Sequence, residues 1–367
     1  MKVAVIGAGL AGLACALELE KHGIEPVIFE RKDRVGEIYP HVAALMQIFR
    51  RPVKYPLQYL SKNYGIELKP INPLRHVIMK GANSESKVSG NLGVLLVRGQ
   101  TPDCVEKQLE SKIKSKITFN HHTDYNALRK QFDYVVVASG NDLVAKELGC
   151  WQEMLPMALY GAVILGEFKT DTLISYFNTR YAKNGYAYLT PFNENRASLV
   201  LVLPNEDKTK APDYWNQFIR EEKIRNEVVQ YFITEYKAGH VFPKRIGNII
   251  LTGAAAGATE SFLGFGTEYS IVSGVCAARS IALGLDYEEQ IKNHVETNKN
   301  VYEFRMVLNS FNNSKFDILI KTLGFPVIRN IVYNTNVDMV KHGARALRLS
   351  RQVRKLFYRS RLGSSSF

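Results

Sequence analysis

The sequence predicts an α/β protein with three parts: a nucleotide-binding domain on a parallel sheet, a β-rich insertion, and a helical C-terminus. Three observations predict it. The turn Gly7-Ala8-Gly9-Leu10-Ala11-Gly12 directly follows an apolar run and precedes a helical pattern. The apolar run at residues 132–138 closes on Ser139-Gly140, as a buried parallel strand does when it ends at a ligand crevice. A second apolar run and glycine turn, residues 247–257, returns only after a long β-rich stretch.

Taken in order, residues 2–6 read as a strand, residues 7–12 as the turn, residues 13–22 as a helix and residues 26–30 as a second strand. Residues 31–95 carry little pattern before a strand at 91–97 and a helix at 102–115. Strand-like segments at 158–168, 185–190 and 197–203 surround a polar segment at 212–236 that reads as helical. Residues 247–251 form a buried strand, residues 269–283 an apolar helix, and the rest is helical with a break at Gly324-Phe325-Pro326. This reading places the nucleotide-binding domain at residues 1–144 and 244–290, a substrate domain at 145–243 and a helical region at 291–367.

At 367 residues the chain exceeds one ordinary domain of ~100–200 residues, which fits two joined domains with a large core. Apolar residues are 46% and charged ones 23%, a balance that excludes a mainly disordered chain. No run approaches the ~20 apolar residues of a membrane span. The first residues lack a signal-peptide pattern, so the expected location is the cytoplasm. Neither the four cysteines nor the eight histidines have metal-ligand spacing, so no metal is expected.

Part of the net charge of +13 is concentrated at the end: Lys341, Arg345, Arg348, Arg351, Arg354, Lys355, Arg359 and Arg361 with no acid among them. Leu349, Val353, Leu356 and Phe357 recur there at helical spacing. Such a basic amphipathic helix suits peripheral attachment to the inner face of a membrane, a solvated terminal helix, or a lid packed on the protein. No nucleic-acid module accompanies the charge, so no nucleic acid is expected as a partner.

The first turn has a mechanical reading. Gly7 permits the tight turn, Gly9 lets backbone approach a pyrophosphate, and Gly12 lets the helix lie close on the sheet. Phosphates then sit on the unpaired N–H groups of a helix N-terminus. Glu30 closes the second strand where its carboxylate can bond a ribose hydroxyl. Together these form a Rossmann-type unit.

From Glu30 onward the chain resembles flavoproteins. Glu30-Arg31-Lys32-Asp33-Arg34-Val35-Gly36 is similar to the flavin-family extension, with Glu37 where that family has a second glycine. The segment from Gly247 to Gly257, with Gly264-Phe265-Gly266, Ser273, Gly274, Ala277 and Ala278, is similar to the second FAD-binding motif of the geranylgeranyl reductase family. That family has the fold of p-hydroxybenzoate hydroxylase. The resemblance implies FAD as cofactor, held by Gly7, Gly9, Leu10, Ala11, Gly12, Glu30, Arg31, Arg98, Ser139, Gly140, Gly253, Ala254, Gly257, Gly264 and Gly266. Ala254 departs from the family, which has an aspartate there; losing one charge-assisted hydrogen bond costs ~1.5–3 kcal/mol.

Gly185-Tyr186-Ala187-Tyr188-Leu189-Thr190-Pro191 resembles the family's Tyr-x-Trp-x-Phe-Pro strand, whose aromatics line an isoprenoid cavity. The resemblance thus implies Tyr186, Tyr188, Pro191 and Phe262 as substrate contacts, although alternation alone also yields two same-face core tyrosines. The implied activity is reduction of C=C bonds in a polyprenyl lipid by reduced FAD. An FAD-dependent monooxygenase or desaturase, and a non-catalytic lipid-binding relative, remain the alternatives. No catalytic acid is assigned. Tyr186, Tyr188 and Glu260 are the candidates, Cys104 and Cys150 match no family cysteine, and the electron donor is not identified.

Overall fold

The computed structural model describes residues 1–36 and 39–363, with side chains through residue 352. Among the described residues fourteen strands form two sheets. The first runs β13 (Arg245–Ile246), β14 (Ile249–Leu251), β7 (Tyr134–Val137), β1 (Val3–Ile6), β2 (Val27–Phe29), β6 (Ile117–Thr118). Every pairing in it is parallel apart from the β13–β14 hairpin. Both faces are covered, which is why its strands read as unbroken apolar runs. Val3, Val5, Val136 and Ile250 pack under helices Leu10–Lys21 and Thr267–Leu283, while Ala4, Val135, Val137 and Leu251 form a separate core on the other face.

The second sheet has eight strands, in the order β12 (Val228–Val241), β8 (Trp151–Leu165), β11 (Arg196–Pro204), β10 (Tyr186–Asn193), β9 (Thr172–Tyr176), β4 (Asn72–Lys80), β5 (Glu85–Arg98), β3 (His41–Met46). It is antiparallel except where β4 meets β9. The expected domain boundary therefore moves. Residues 41–98, assigned from sequence to the nucleotide-binding domain, supply three strands of the insertion's sheet. β4 and β5 form a hairpin, but β3 pairs with the far end of β5 and β4 also pairs with β9, so nothing local ties this segment to the insertion's sheet.

A second correction concerns residues 212–236, which read as one helix. The helix Ala211–Glu221 ends before Lys223 takes a positive φ of 54°, and β12 follows. Val228, Val229, Tyr231, Phe232, Ile233 and Thr234 are β-branched or aromatic, and their fit to a pleated surface overrides the polar helical pattern.

The C-terminal region is helical as expected: Tyr287–Leu308, Asn313–Gly324, Pro326–Asn334 and Met339–Gly363. Arg348 donates to Asn300 at 2.8 Å, and both Arg348 and Arg351 pair with Glu303, so this part of the basic helix lies back on helix Tyr287–Leu308. The side chains of Val353, Arg354, Lys355, Leu356, Phe357, Arg359 and Arg361 fall outside the described residues, as does Glu37. Among the described residues no helix is long and apolar enough to cross a membrane.

Candidate functional site

Between the two sheets lies a cavity of about 1060 Å³. One end is built by the first glycine turn. Gly7 has a φ of +103°, and a β-carbon on it would lie 2.4 Å from the Ala138 carbonyl oxygen, so the turn is pressed against the end of β7. A β-carbon on Gly12 would lie 1.9 Å from the Gly7 carbonyl, which is the close helix packing the spacing predicts. Gly9 is the opposite case: a β-carbon there would meet nothing within 4 Å. The backbone is bare at the point where the turn faces the cavity, and no side chain caps the helix that begins after Gly9.

Glu30 is buried beside this turn. Its carboxylate accepts from the Ala8 N–H at 2.7 Å and the Lys32 N–H at 2.9 Å, which ties the end of β2 to the turn after β1. Arg31 and Arg98 line the same end. Arg98 pairs with the buried Glu106 at 2.6 Å and donates to Thr267 Oγ1 at 3.3 Å, so it joins β5 to the start of helix Thr267–Leu283. Ser139 and Gly140, at the end of β7, complete the wall.

The second glycine turn arrives from the far end of the chain and meets the first. Gly253 has a φ of +62°, and a β-carbon on it would lie 2.8 Å from the Ala11 methyl. Ser273 holds the turn: its Oγ accepts from the Gly253 N–H at 2.9 Å and donates to the Ser270 carbonyl at 2.9 Å. Gly253, Ala254, Gly264 and Gly266 border the cavity, as do Leu10 and Ala11. Gly12 and Gly257 do not. Gly12 lies behind the turn, and Gly257 packs against the Gly239 carbonyl and faces a neighbouring cleft.

The other end of the cavity is apolar. Tyr186 and Tyr188 face it from β10, their rings stacked with centroids 5.8 Å apart, while Ala187 and Leu189 between and beyond them join the core on the opposite face. The period of two thus serves a cavity and a core at once. Tyr186 donates to the Leu263 carbonyl at 2.5 Å, and burial drives both phenols well above their ordinary range. Phe262 also lines this region. Pro191 does not; it is buried within the sheet opposite Ala197.

Glu260 borders the cavity, but its oxygens are occupied. They accept backbone N–H groups from Phe262, Leu263 at 2.8 Å and Phe265 at 3.0 Å. Burial pushes this carboxyl up against the opposing effect of those bonds. The arrangement makes Glu260 the tie that shapes the loop carrying Gly264 and Gly266.

Sequence reasoning missed one buried cluster. Arg50 is ion-paired with Glu268 and lies 2.6 Å from His294 Nε2. A guanidinium can only donate, so Nε2 accepts and the imidazole is neutral with its proton on Nδ1. Burial, aided by the Arg50 charge, pushes His294 below its ordinary value against the pull of Glu268. Arg50 and Glu268 both face the cavity, and Tyr269 stacks on His294 with centroids 5.1 Å apart.

Residues 5–70 match the model of an NAD(P)-binding Rossmann-like domain. The chain is 23% identical over 363 residues to digeranylgeranylglycerophospholipid reductase 3 of Methanosphaera stadtmanae, covering 91% of this chain and 87% of that protein. The chain is a homologue of digeranylgeranylglycerophospholipid reductase and is an oxidoreductase.

Among solved structures, a geranylgeranyl bacteriochlorophyll reductase-like protein from Thermoplasma acidophilum superposes with a TM-score of 0.70 at 15% identity, covering 94% of this chain and 98% of that one. The p-nitrophenol 4-monooxygenase of Pseudomonas putida DLL-E4 superposes with a TM-score of 0.64 at 14% identity, covering 90% and 96% of the two chains. A flavin-dependent halogenase gives 0.60 at 16% identity, covering 98% and 78%. These likenesses establish a fold shared by this chain, a reductase-like protein, a monooxygenase and a halogenase.

Proposed function

We propose that this protein is an FAD-dependent reductase that saturates C=C bonds of a polyprenyl lipid or its phosphate. The observation that carries the reading is a single cavity with two chemically distinct ends. One is a bare-backbone cradle between two glycine turns, with a carboxylate at Glu30 and cations at Arg31 and Arg98. The other is an apolar chamber faced by Tyr186, Tyr188 and Phe262.

The cradle fits FAD. The open face of Gly9 leaves room for a pyrophosphate, and the N-terminus of helix Leu10–Lys21 favours its charge. Glu30 would take the adenosine ribose, and the backbone from Gly253 to Ala254 would run beside the flavin half. Bound there, reduced FAD would supply the hydride, and a side chain or water would supply the proton that completes each saturated bond. The protein's own part is to orient the two molecules and to exclude water. Tyr186 and Tyr188 keep their protons at neutral pH, so the chamber wall stays uncharged and accepts an apolar chain.

The protein is placed by this reading in the cytoplasm, working at the inner face of the membrane. A purified sample tests it. A flavin absorbance spectrum, and anaerobic gain of two hydrogens per reduced bond in a geranylgeranyl-bearing glycerolipid, are the expected results. Turnover that consumes oxygen would assign the protein to monooxygenase chemistry instead, and a colourless protein with no affinity for added FAD would overturn the reading.

A further inference from the structure

The geometry points to a bilayer-docking face on helices Asn313–Gly324 and Pro326–Asn334 that opens the apolar chamber toward anionic lipid. This assignment rests on the polyprenyl-lipid reading for its purpose, while its geometry stands independently.

The two helices are a wall between chamber and solvent. On their inner side Phe316, Leu319, Leu323, Val332 and Tyr333 line the cavity. Gly324 anchors the first helix to β5, since a β-carbon on it would lie 1.8 Å from Ser86 Oγ. Asp317, the one acid in these two helices, is spent on Asn83 and Ser84. The inner side is thus accounted for.

The outer side is not what a water-facing surface needs. Ile318 is 65% exposed, and Phe325 and Val327 are each 59% exposed at the corner between the helices. Phe325-Pro326-Val327 are three consecutive exposed apolar residues, and Ile331 follows one turn after Val327. Lys315 and Lys321 are exposed on the first of these helices, and Lys341 and Arg345 are exposed on helix Met339–Gly363, which carries no acid. Arg348 and Arg351 do not belong to the set, because Glu303 takes them.

An exposed apolar wedge on a C-terminal region whose exposed charges are cationic fits the boundary of an anionic bilayer, where acyl chains take the wedge and headgroups take the cations. The continuity with the chamber selects lipid over a protein partner. A wall one helix thick separates the bilayer side from the cavity, so a polyprenyl chain can enter by displacement of these helices without crossing water.

The experiment is sedimentation of the full-length protein with vesicles of phosphatidylcholine alone and of phosphatidylcholine with phosphatidylglycerol, at low and high salt. Binding is expected on the anionic vesicles and is expected to weaken with salt. The pair Phe325→Ser and Val327→Ser should weaken it about tenfold or more through lost apolar burial. Each of Lys321→Glu and Lys341→Glu should weaken it at least about fivefold. Neither pair touches the cavity lining, so turnover of a detergent-dispersed short prenyl substrate should be unchanged while turnover of vesicle-borne substrate falls.

Wild-type binding that survives the Ser pair, or no vesicle binding at all, overturns the assignment. A dimer in analytical ultracentrifugation that the Ser pair dissolves, without vesicle binding, makes this face a self-association surface instead. Vesicle binding by a protein that reduces no prenyl lipid leaves the docking face standing and removes only the substrate reading.

Discussion

Gly274 lies against the backbone of Ala11 so closely that a β-carbon on residue 274 would fall 2.1 Å from the Ala11 carbonyl oxygen. That contact sets how near helix Thr267–Leu283 comes to helix Leu10–Lys21, and with it how near the two glycine turns stand. Gly274→Ala must push the helices apart. Overpacking of this kind costs ~1–3 kcal/mol. Denaturant titration should show a lower midpoint with an unchanged slope, and FAD affinity should fall in parallel.

Glu30 is both a structural tie and the expected ribose acceptor. Glu30→Ala leaves the N–H groups of Ala8 and Lys32 without their partner and removes the carboxylate from the cradle. A charge-assisted bond is worth ~1.5–3 kcal/mol, so FAD should bind about tenfold or more weakly. Quenching of flavin fluorescence on titration measures this directly, and Glu30→Gln should fall between the two.

Ala254 offers the reverse change. It borders the cavity where the related family has an aspartate. Ala254→Asp should tighten FAD binding by about tenfold or more, from the same magnitude for one charge-assisted bond. No change in affinity would mean that the flavin half does not run past this residue.

The His294 cluster predicts a pH dependence of stability. The imidazole is held below its ordinary value of 6.5 in the fold, so on acidification the unfolded chain takes up the proton first. Its contribution is therefore fully present above pH 6.5 and is lost as pH falls below that value toward the lowered one. The slope is at most about 1.4 kcal/mol per pH unit for one proton. His294→Gln keeps an acceptor for Arg50 and should flatten this part of the curve of unfolding free energy against pH.

Tyr188 faces the chamber and stacks on Tyr186, whereas Tyr186 also holds the Leu263 carbonyl. Tyr188→Ala should widen the apolar end and shift kcat/KM toward bulkier or longer prenyl chains. Tyr186→Phe should loosen the loop from Glu260 to Gly266 and raise KM without that change of preference.

The parallel sheet and both turns were legible because each rests on short-range rules: a buried strand is an apolar run, and a turn that must pass close to backbone is glycine. Gly7, Gly12 and Gly253 each prove sterically committed. The strands at residues 41–98 were not legible, since β3 and β4 are specified by neighbours such as β5 and β9 rather than by a clean local period. Arg50 and His294 are 244 residues apart, and nothing local to either announces the other. Tyr186 and Tyr188 were legible as one face of a strand, but only the fold decides that this face is a cavity. Pro191 shared their segment but lies an odd number of positions from both tyrosines, so the same alternation puts it on the opposite face with Ala187 and Leu189.

The chain changes sheets repeatedly: β1 and β2 in the first, β3 to β5 in the second, back for β6 and β7, out again for β8 to β12, and home for β13 and β14. Neither half can therefore be expressed as a continuous fragment. During synthesis β14 emerges only after the whole insertion has been made, so the nucleotide cradle cannot close until most of the polypeptide has left the ribosome. Native pairings this distant in sequence also slow the search for the fold, and any cut in the insertion that releases its strands leaves the first half waiting for its last parallel neighbour.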